Sequence, residues 1–171
     1  VHGLGPEVGA PLVAHPGVDA VSFTGGTTTG KLVAAAAAPG FKKLSLELGG
    51  KNPTLVFADA DLQTAITGAT RAAFLNQGQI CLCGSRILVE RTIHDRLVDG
   101  VVKEAEAMRV GDPADPDTDL GALISHAHRD KVAGYVTLAR EEGGQVLTGG
   151  TPPALGAPFD QGAFLRPAVI T

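Results

Sequence analysis

Cysteine is nearly missing from this chain. Its 171 residues hold two, Cys81 and Cys83, one residue apart. Thiols so placed do not easily bridge in regular backbone, which excludes a disulfide framework and points to a reducing, cytoplasmic setting. Aromatic residues are 4%, with no tryptophan and one tyrosine, too few for base-stacking platforms. Neither sign of charge dominates: 14 Lys and Arg face 18 Asp and Glu, a net charge of −4 without a basic stripe or an acidic tail. Nucleic acid and anionic membrane are therefore not expected partners. Long apolar runs are absent too, the nearest being the short alanine tract from Leu32 to Ala38 behind Lys31. The chain begins at Val1 without a charged leader, and the β-branched stretch from Phe164 to Thr171 stops in mid-pattern, so a piece of something longer is expected.

What is present alternates between two periods. Short helical character near Glu7 to His15 precedes a buried strand, Val18 to Phe23, with Thr24-Gly25-Gly26 as its exit turn. A helix over Thr27 to Ala38 closes at Pro39-Gly40, and strands follow over Lys43 to Leu48 and Thr54 to Ala58. Leu62, Ala65, Ile66, Ala69 and Ala73 define one helix face, with Asp59 or Asp61 as its cap. After the cysteines come a strand over Arg86 to Glu90, a helix from Thr92 to Met108 and a loop over Val110 to Leu120. A helix capped by Ser125 then runs to Glu142 and should bury His128, Val132, Tyr135, Val136 and Ala139. Gln145 to Thr148 and Phe164 to Ile170 read as the last strands, flanking a Gly/Pro-rich excursion. Such alternation implies a largely parallel sheet with helices on both faces. The one sharp break, Gly49-Gly50-Lys51-Asn52-Pro53, reads as a domain hinge.

Three places could carry chemistry. The junction Phe23 to Gly30 joins strand, glycine turn and helix N-terminus, which suits a phosphate, although a plain turn explains it as well. Glu47 ends an apolar strand before two glycines. Leu46 and Leu48 beside it would partly desolvate the carboxylate toward a useful base, while a solvent-facing strand end is the plainer reading. The loop Phe74 to Arg86 surrounds Cys81 with small and amide residues. There a thiol activated by N–H dipoles competes with cysteines that merely pack. A metal site is not expected, because Cys-x-Cys has no second Cys or His pair and His94, His126 and His128 offer no matching spacing.

Taken together, Leu46-Glu47-Leu48-Gly49-Gly50-Lys51-Asn52-Pro53 and Phe74-Leu75-Asn76-Gln77-Gly78-Gln79-Ile80-Cys81 resemble the two active-site signatures of the aldehyde dehydrogenase superfamily. They stand in the family's order, with Glu47 and Cys81 34 residues apart. Lys42 to Glu47, Ile80 to Cys83 and Gly121 to Ser125 look most like the muconic-semialdehyde branch. The resemblance implies an α/β, aldehyde dehydrogenase-like fold with parts of two domains. Residues 1–49 would be the C-terminal part of an NAD(P)-binding domain, and 50–171 part of the catalytic, thiol-bearing domain.

It implies oxidation of an aldehyde, such as 2-aminomuconic semialdehyde, to a carboxylate. Cys81 would be the nucleophile, passing through a thiohemiacetal and a thioester, and Glu47 would activate the hydrolytic water. The N–H of Cys81 would supply half of an oxyanion hole whose other half is an upstream asparagine. NAD, with NADP left open, would lie against Thr24, Gly25, Gly26, Gly30, Leu48 and Gly49. Many members carry serine where Gly26 stands, so here only backbone donation would remain. Further implications are a homodimeric or homotetrameric full-length protein and no dehydrogenase activity from these residues alone. Acyl transfer to coenzyme A and a non-catalytic scaffold on the same fold are the competing readings.

Overall fold

A computed structural model describes all residues, Val1–Thr171. The chain divides into two compact units, Val1–Gly50 and Lys51–Thr171.

In the first unit, a π-helical turn over Gly5–Gly9 leads into helix α1, Ala10–Ala14. Strand β1, Ala20–Gly25, helix α2, Thr27–Ala37, and strand β2, Lys43–Leu48, then form a βαβ unit. The strands are parallel, with Thr24 opposite Glu47 and Gly25 opposite Leu48. That pairing draws Thr24 and Gly25 into the strand, so the exit turn begins at Gly26 and is shorter than the sequence implied. Val21, Phe23, Leu46 and Leu48 are half-buried on one face, and the alternate residues Ser22, Thr24, Ser45 and Glu47 are exposed on the other. Helix α2 seats closely because residue 30 is glycine: a Cβ there would come within 2.7 Å of the Leu48 side chain. It ends in a 3-10 turn over Ala38–Gly40, and the left-handed position after it falls on Phe41 (φ 46°) rather than on Gly40.

The second unit opens with strand β3, Pro53–Val56, followed by helix α3, Leu62–Phe74, and strand β4, Arg86–Val89. Strands β3 and β4 pair in parallel, Pro53 with Arg86 and Val56 with Val89. Asp61, not Asp59, caps α3 by accepting the Thr64 N–H at 2.8 Å. Helix α4, His94–Ala107, starts later than expected, because Arg91–Ile93 form a 3-10 turn. Thr92 does not cap it; its hydroxyl donates to the Glu90 carboxylate instead. Val56, Ile66, Ala69, Ile93, Leu97 and Val101 form the core between the strand pair and α3 and α4. Gly100 lets the two helices approach, since a Cβ there would meet Ile66 Cδ1 at 2.3 Å.

Helix α5, His126–Glu141, is capped by the Ser125 hydroxyl as expected, accepting the His128 N–H at 3.1 Å. It buries only Val136, however, and Tyr135 is 62% exposed. The last strands, β5, Val146–Thr148, and β6, Val169–Ile170, are antiparallel, departing from the otherwise parallel pattern. Strand β6 is far shorter than Phe164 to Ile170. Pro167 has no N–H to give to a ladder, and Phe164 turns inward to meet Phe159 edge-on at 6.2 Å. The architecture is α/β, built from three separate strand pairs. No helix is long and apolar enough to cross a membrane.

Candidate active site

The thiol loop belongs to the second unit. It leaves α3 through three consecutive left-handed residues, Asn76 (φ 52°), Gln77 (φ 58°) and Gly78 (φ 70°). Glycine accepts this region freely and asparagine tolerates it, but for glutamine it costs about 1–2 kcal/mol. Side-chain amides hold the run in place. With the Gln77 amide oriented to satisfy both neighbours, its oxygen accepts the Gly121 N–H at 2.8 Å and its nitrogen donates to Asn76 O at 3.0 Å. Gln79 Oε1 accepts the Ile124 N–H at 3.2 Å. Two glutamines thus fasten the segment before α5 onto the thiol loop.

A second set of contacts fastens the loop to the residues around β3. Asn52 Nδ2 donates to the Cys81 carbonyl at 2.6 Å, and the Arg86 N–H returns to Asn52 O at 3.3 Å. The Arg86 guanidinium donates to Lys51 O from Nε at 3.1 Å and from Nη2 at 2.7 Å. The Thr54 hydroxyl donates to Gly84 O at 3.2 Å, and Gly84 N–H to Ala72 O at 3.0 Å. These bonds separate the two cysteines. Cys81 is exposed, whereas Cys83 is buried with Sγ 4.0 Å from Leu75 O. Cys83 N–H is bonded to Ile80 O, while the N–H groups of Cys81 and Leu82 have no acceptor within the chain. An exposed thiol beside free N–H donors can attack a carbonyl and hold the oxygen charge that develops.

Glu47 lies in the first unit, on the exposed face of β2 beside Thr24. Strand alternation sends Leu46 and Leu48 to the face opposite the Glu47 side chain, so they do not flank it as their places in sequence suggested. At the N-terminus of α2, Gly26 is extended (φ −74°, ψ 148°), with open space where a Cβ would stand. Gly30 N–H is already bonded to Gly26 O at 2.9 Å, and Gly30 is buried under Leu48. The open donors of this turn are therefore the N–H groups of Thr27, Thr28 and Thr29, at the positive end of the helix dipole. Gly25 and Leu48 pair across the strands, and Gly49 lies just beyond them, exposed and unhindered. A strand, an open glycine and a free helix N-terminus fit a phosphate group without any side-chain contact. No three His, Cys, Asp or Glu side chains converge to hold a metal ion.

Asn52, Gln77, Gln79 and Arg86 were missed as site residues. Their signal lay in the runs themselves, amides flanking a thiol and a hinge, but only the fold shows which carbonyls and N–H groups they reach.

With strand, turn and helix on one unit and a laced thiol loop on the other, the chain belongs to the aldehyde dehydrogenase family, whose model matches residues 1–171. It is 47% identical over 173 residues to the 2-aminomuconic semialdehyde dehydrogenase of Danio rerio, covering 100% of this chain and 36% of that protein. It is also 47% identical over 172 residues to the 2-hydroxymuconic semialdehyde dehydrogenase of Pseudomonas putida, covering 100% of this chain and 35% of that one. Among solved structures, betaine aldehyde dehydrogenase from Staphylococcus aureus in complex with NAD+ superposes with a TM-score of 0.94 at 39% identity, covering 99% of this chain and 34% of the other. The chain thus spans about a third of the length of the relatives it matches.

Proposed function

We propose that the intact protein oxidises an aldehyde to a carboxylate with NAD(P), using Cys81 as nucleophile and Glu47 as the base for hydrolysis. The observation that carries this reading is the asymmetry of the thiols: Cys81 is exposed beside free N–H groups, and Cys83 is buried. The Cys81 thiolate adds to the aldehyde carbon, the carbonyl pair moves to oxygen, and the Cys81 N–H donates to that oxyanion. NAD(P), when bound with its phosphates at the first turn of α2, supplies the hydride acceptor. Glu47 then takes a proton from water as the water attacks the thioester, and the sulfur leaves as thiolate while the carboxylate is released.

In this reading residues 1–49 are the end of the cofactor domain and 50–171 are part of the catalytic domain. A semialdehyde substrate is supported by the two muconic semialdehyde relatives. A homodimeric or homotetrameric assembly in the cytoplasm completes the proposal. Coenzyme A as final acceptor is disfavoured because such a reaction has no use for a deacylating carboxylate at Glu47.

The test uses the intact protein with 2-hydroxymuconic semialdehyde and NAD. Cys81→Ala should lower NADH formation by roughly 10³-fold or more. Glu47→Gln should keep a first-turnover burst of NADH and slow steady turnover by about 10²- to 10⁴-fold. Retained turnover in Cys81→Ala refutes the nucleophile, and loss of the Glu47→Gln burst refutes the deacylation role.

A further inference from the structure

Resting on Cys81 as nucleophile, we infer that Asn52 is a positioning residue that sets the direction of attack through the Cys81 main chain. The carboxamide of Asn52 reaches the Cys81 carbonyl at 2.6 Å across 29 positions of sequence. Fixing that carbonyl fixes the peptide between Cys81 and Leu82, and with it the Leu82 N–H and the backbone on the C-terminal side of the thiol. Asn52 can act this way because it is itself held. Its own carbonyl accepts Arg86 N–H, and Lys51 O takes two bonds from the Arg86 guanidinium. Pro53, next in the chain, restricts the Asn52 backbone to extended conformations, so the carboxamide projects from a stiff base.

The other restraints act elsewhere. Thr54 grips Gly84, and Gln77 and Gln79 grip the loop before α5. Among these side chains only Asn52 bonds to Cys81 itself, and without it the loop keeps its fold while Cys81 loses its orientation. A misplacement of an ångström at a reacting atom can slow chemistry about 10²-fold.

The probe is p-nitrophenyl acetate with the intact protein and no cofactor. The thiolate attacks the ester carbonyl, p-nitrophenolate leaves, and an acetyl thioester remains on sulfur. Asn52→Leu keeps the forked outline of the side chain and removes the donor. It should slow the p-nitrophenolate burst by about 10- to 100-fold while NAD titrates as in the parent protein and the melting midpoint holds within a few degrees. Alkylation of Cys81 by iodoacetamide, which needs no oriented approach, should change less than about threefold. An unchanged burst overturns the proposal, as does a burst that falls in parallel with alkylation and NAD binding, since that pattern is general damage. If Asn52→Leu does not fold, Asn52→Asp, which preserves shape but sets an acceptor against the carbonyl, is read by the same criteria. Cys81→Ala is the separate control: a burst that survives there removes the nucleophile assignment itself, whatever Asn52 does.

Discussion

Gly84→Ala is the substitution for which the structure yields a number. A Cβ at position 84 would stand 2.2 Å from Thr54 Oγ1, with Ala72 Cβ at 3.5 Å on its other side. Thr54 is β-branched and stiff at χ1, and its hydroxyl already donates to Gly84 O at 3.2 Å. The clash can therefore be relieved only by turning the hydroxyl away and shifting the loop. Losing that bond costs about 0.5–1.5 kcal/mol, and overpacking a closed site about 1–3 kcal/mol. The sum, about 1.5–4.5 kcal/mol, corresponds to a rise of roughly 10- to 2,000-fold in the population of the open loop.

Cys83, next in the chain and only 9% exposed, reports that opening directly. Pulses of iodoacetamide followed by mass spectrometry would give the Cys83 alkylation rate, with exposed Cys81 as the internal standard. Thr54→Ala alone should raise the Cys83 rate by a factor of about 2–10, from the lost hydrogen bond. Combined with Gly84→Ala it should remove the clash, so the double variant opens less than the product of the two single effects. A coupling of at least about 1 kcal/mol is expected. Strict additivity, or a Gly84→Ala rate equal to that of the parent, would refute the close packing of Thr54 on Gly84.

Two further outcomes follow from the helices of the same unit. Hydrogen bonds from the Thr64 hydroxyl and N–H hold the Asp61 carboxyl below its ordinary value of 3.8. Its contribution to stability is complete above that value and is lost as pH falls through the lower folded one, so the parent's melting midpoint should drop more steeply as pH falls below 3.8 than that of Asp61→Asn, whose cap does not titrate. Parallel curves for the two proteins would remove Asp61 as a charged cap. Leu97 is 1% exposed at the centre of the core, and Leu97→Ala should weaken amide-exchange protection of α3 and α4 by about 2–5 kcal/mol; a loss under 1 kcal/mol would mean that neighbouring side chains fill the space.

Much of this fold was legible because local rules and packing agree. The face from Leu62 to Ala73, the Ser125 cap and the βαβ order of the first unit all rest on period and capping chemistry. Failures fell where a distant partner decides. Thr24 and Gly25 join β1 because Glu47 and Leu48 lie opposite them. Tyr135 matched the apolar stripe of α5, yet periodicity cannot tell whether another element arrives to cover a face. Desolvation of Glu47 was inferred from neighbours in sequence, which in a strand point the opposite way. At the thiol loop, composition singled out the region, but the division between Cys81 and Cys83 depends on amides and carbonyls up to 35 positions apart in the chain.

The strand pair of the second unit has one finished side and one bare one. Val56 and Val89 face the core, while Leu55, at 61% exposure, lies beside Leu88, at 55%, on the outer side. Parallel strands are ordinarily sheathed on both surfaces. Each of these leucines would yield about 1.5–3 kcal/mol on full burial. That gain is as large as the cost of loosening the thiol loop at Gly84, and both act on one two-stranded framework. Whatever settles over Leu55 and Leu88 would therefore steady the strand pair to which the thiol loop is fastened without touching Cys81, and solvent left there would leave that framework free to flex.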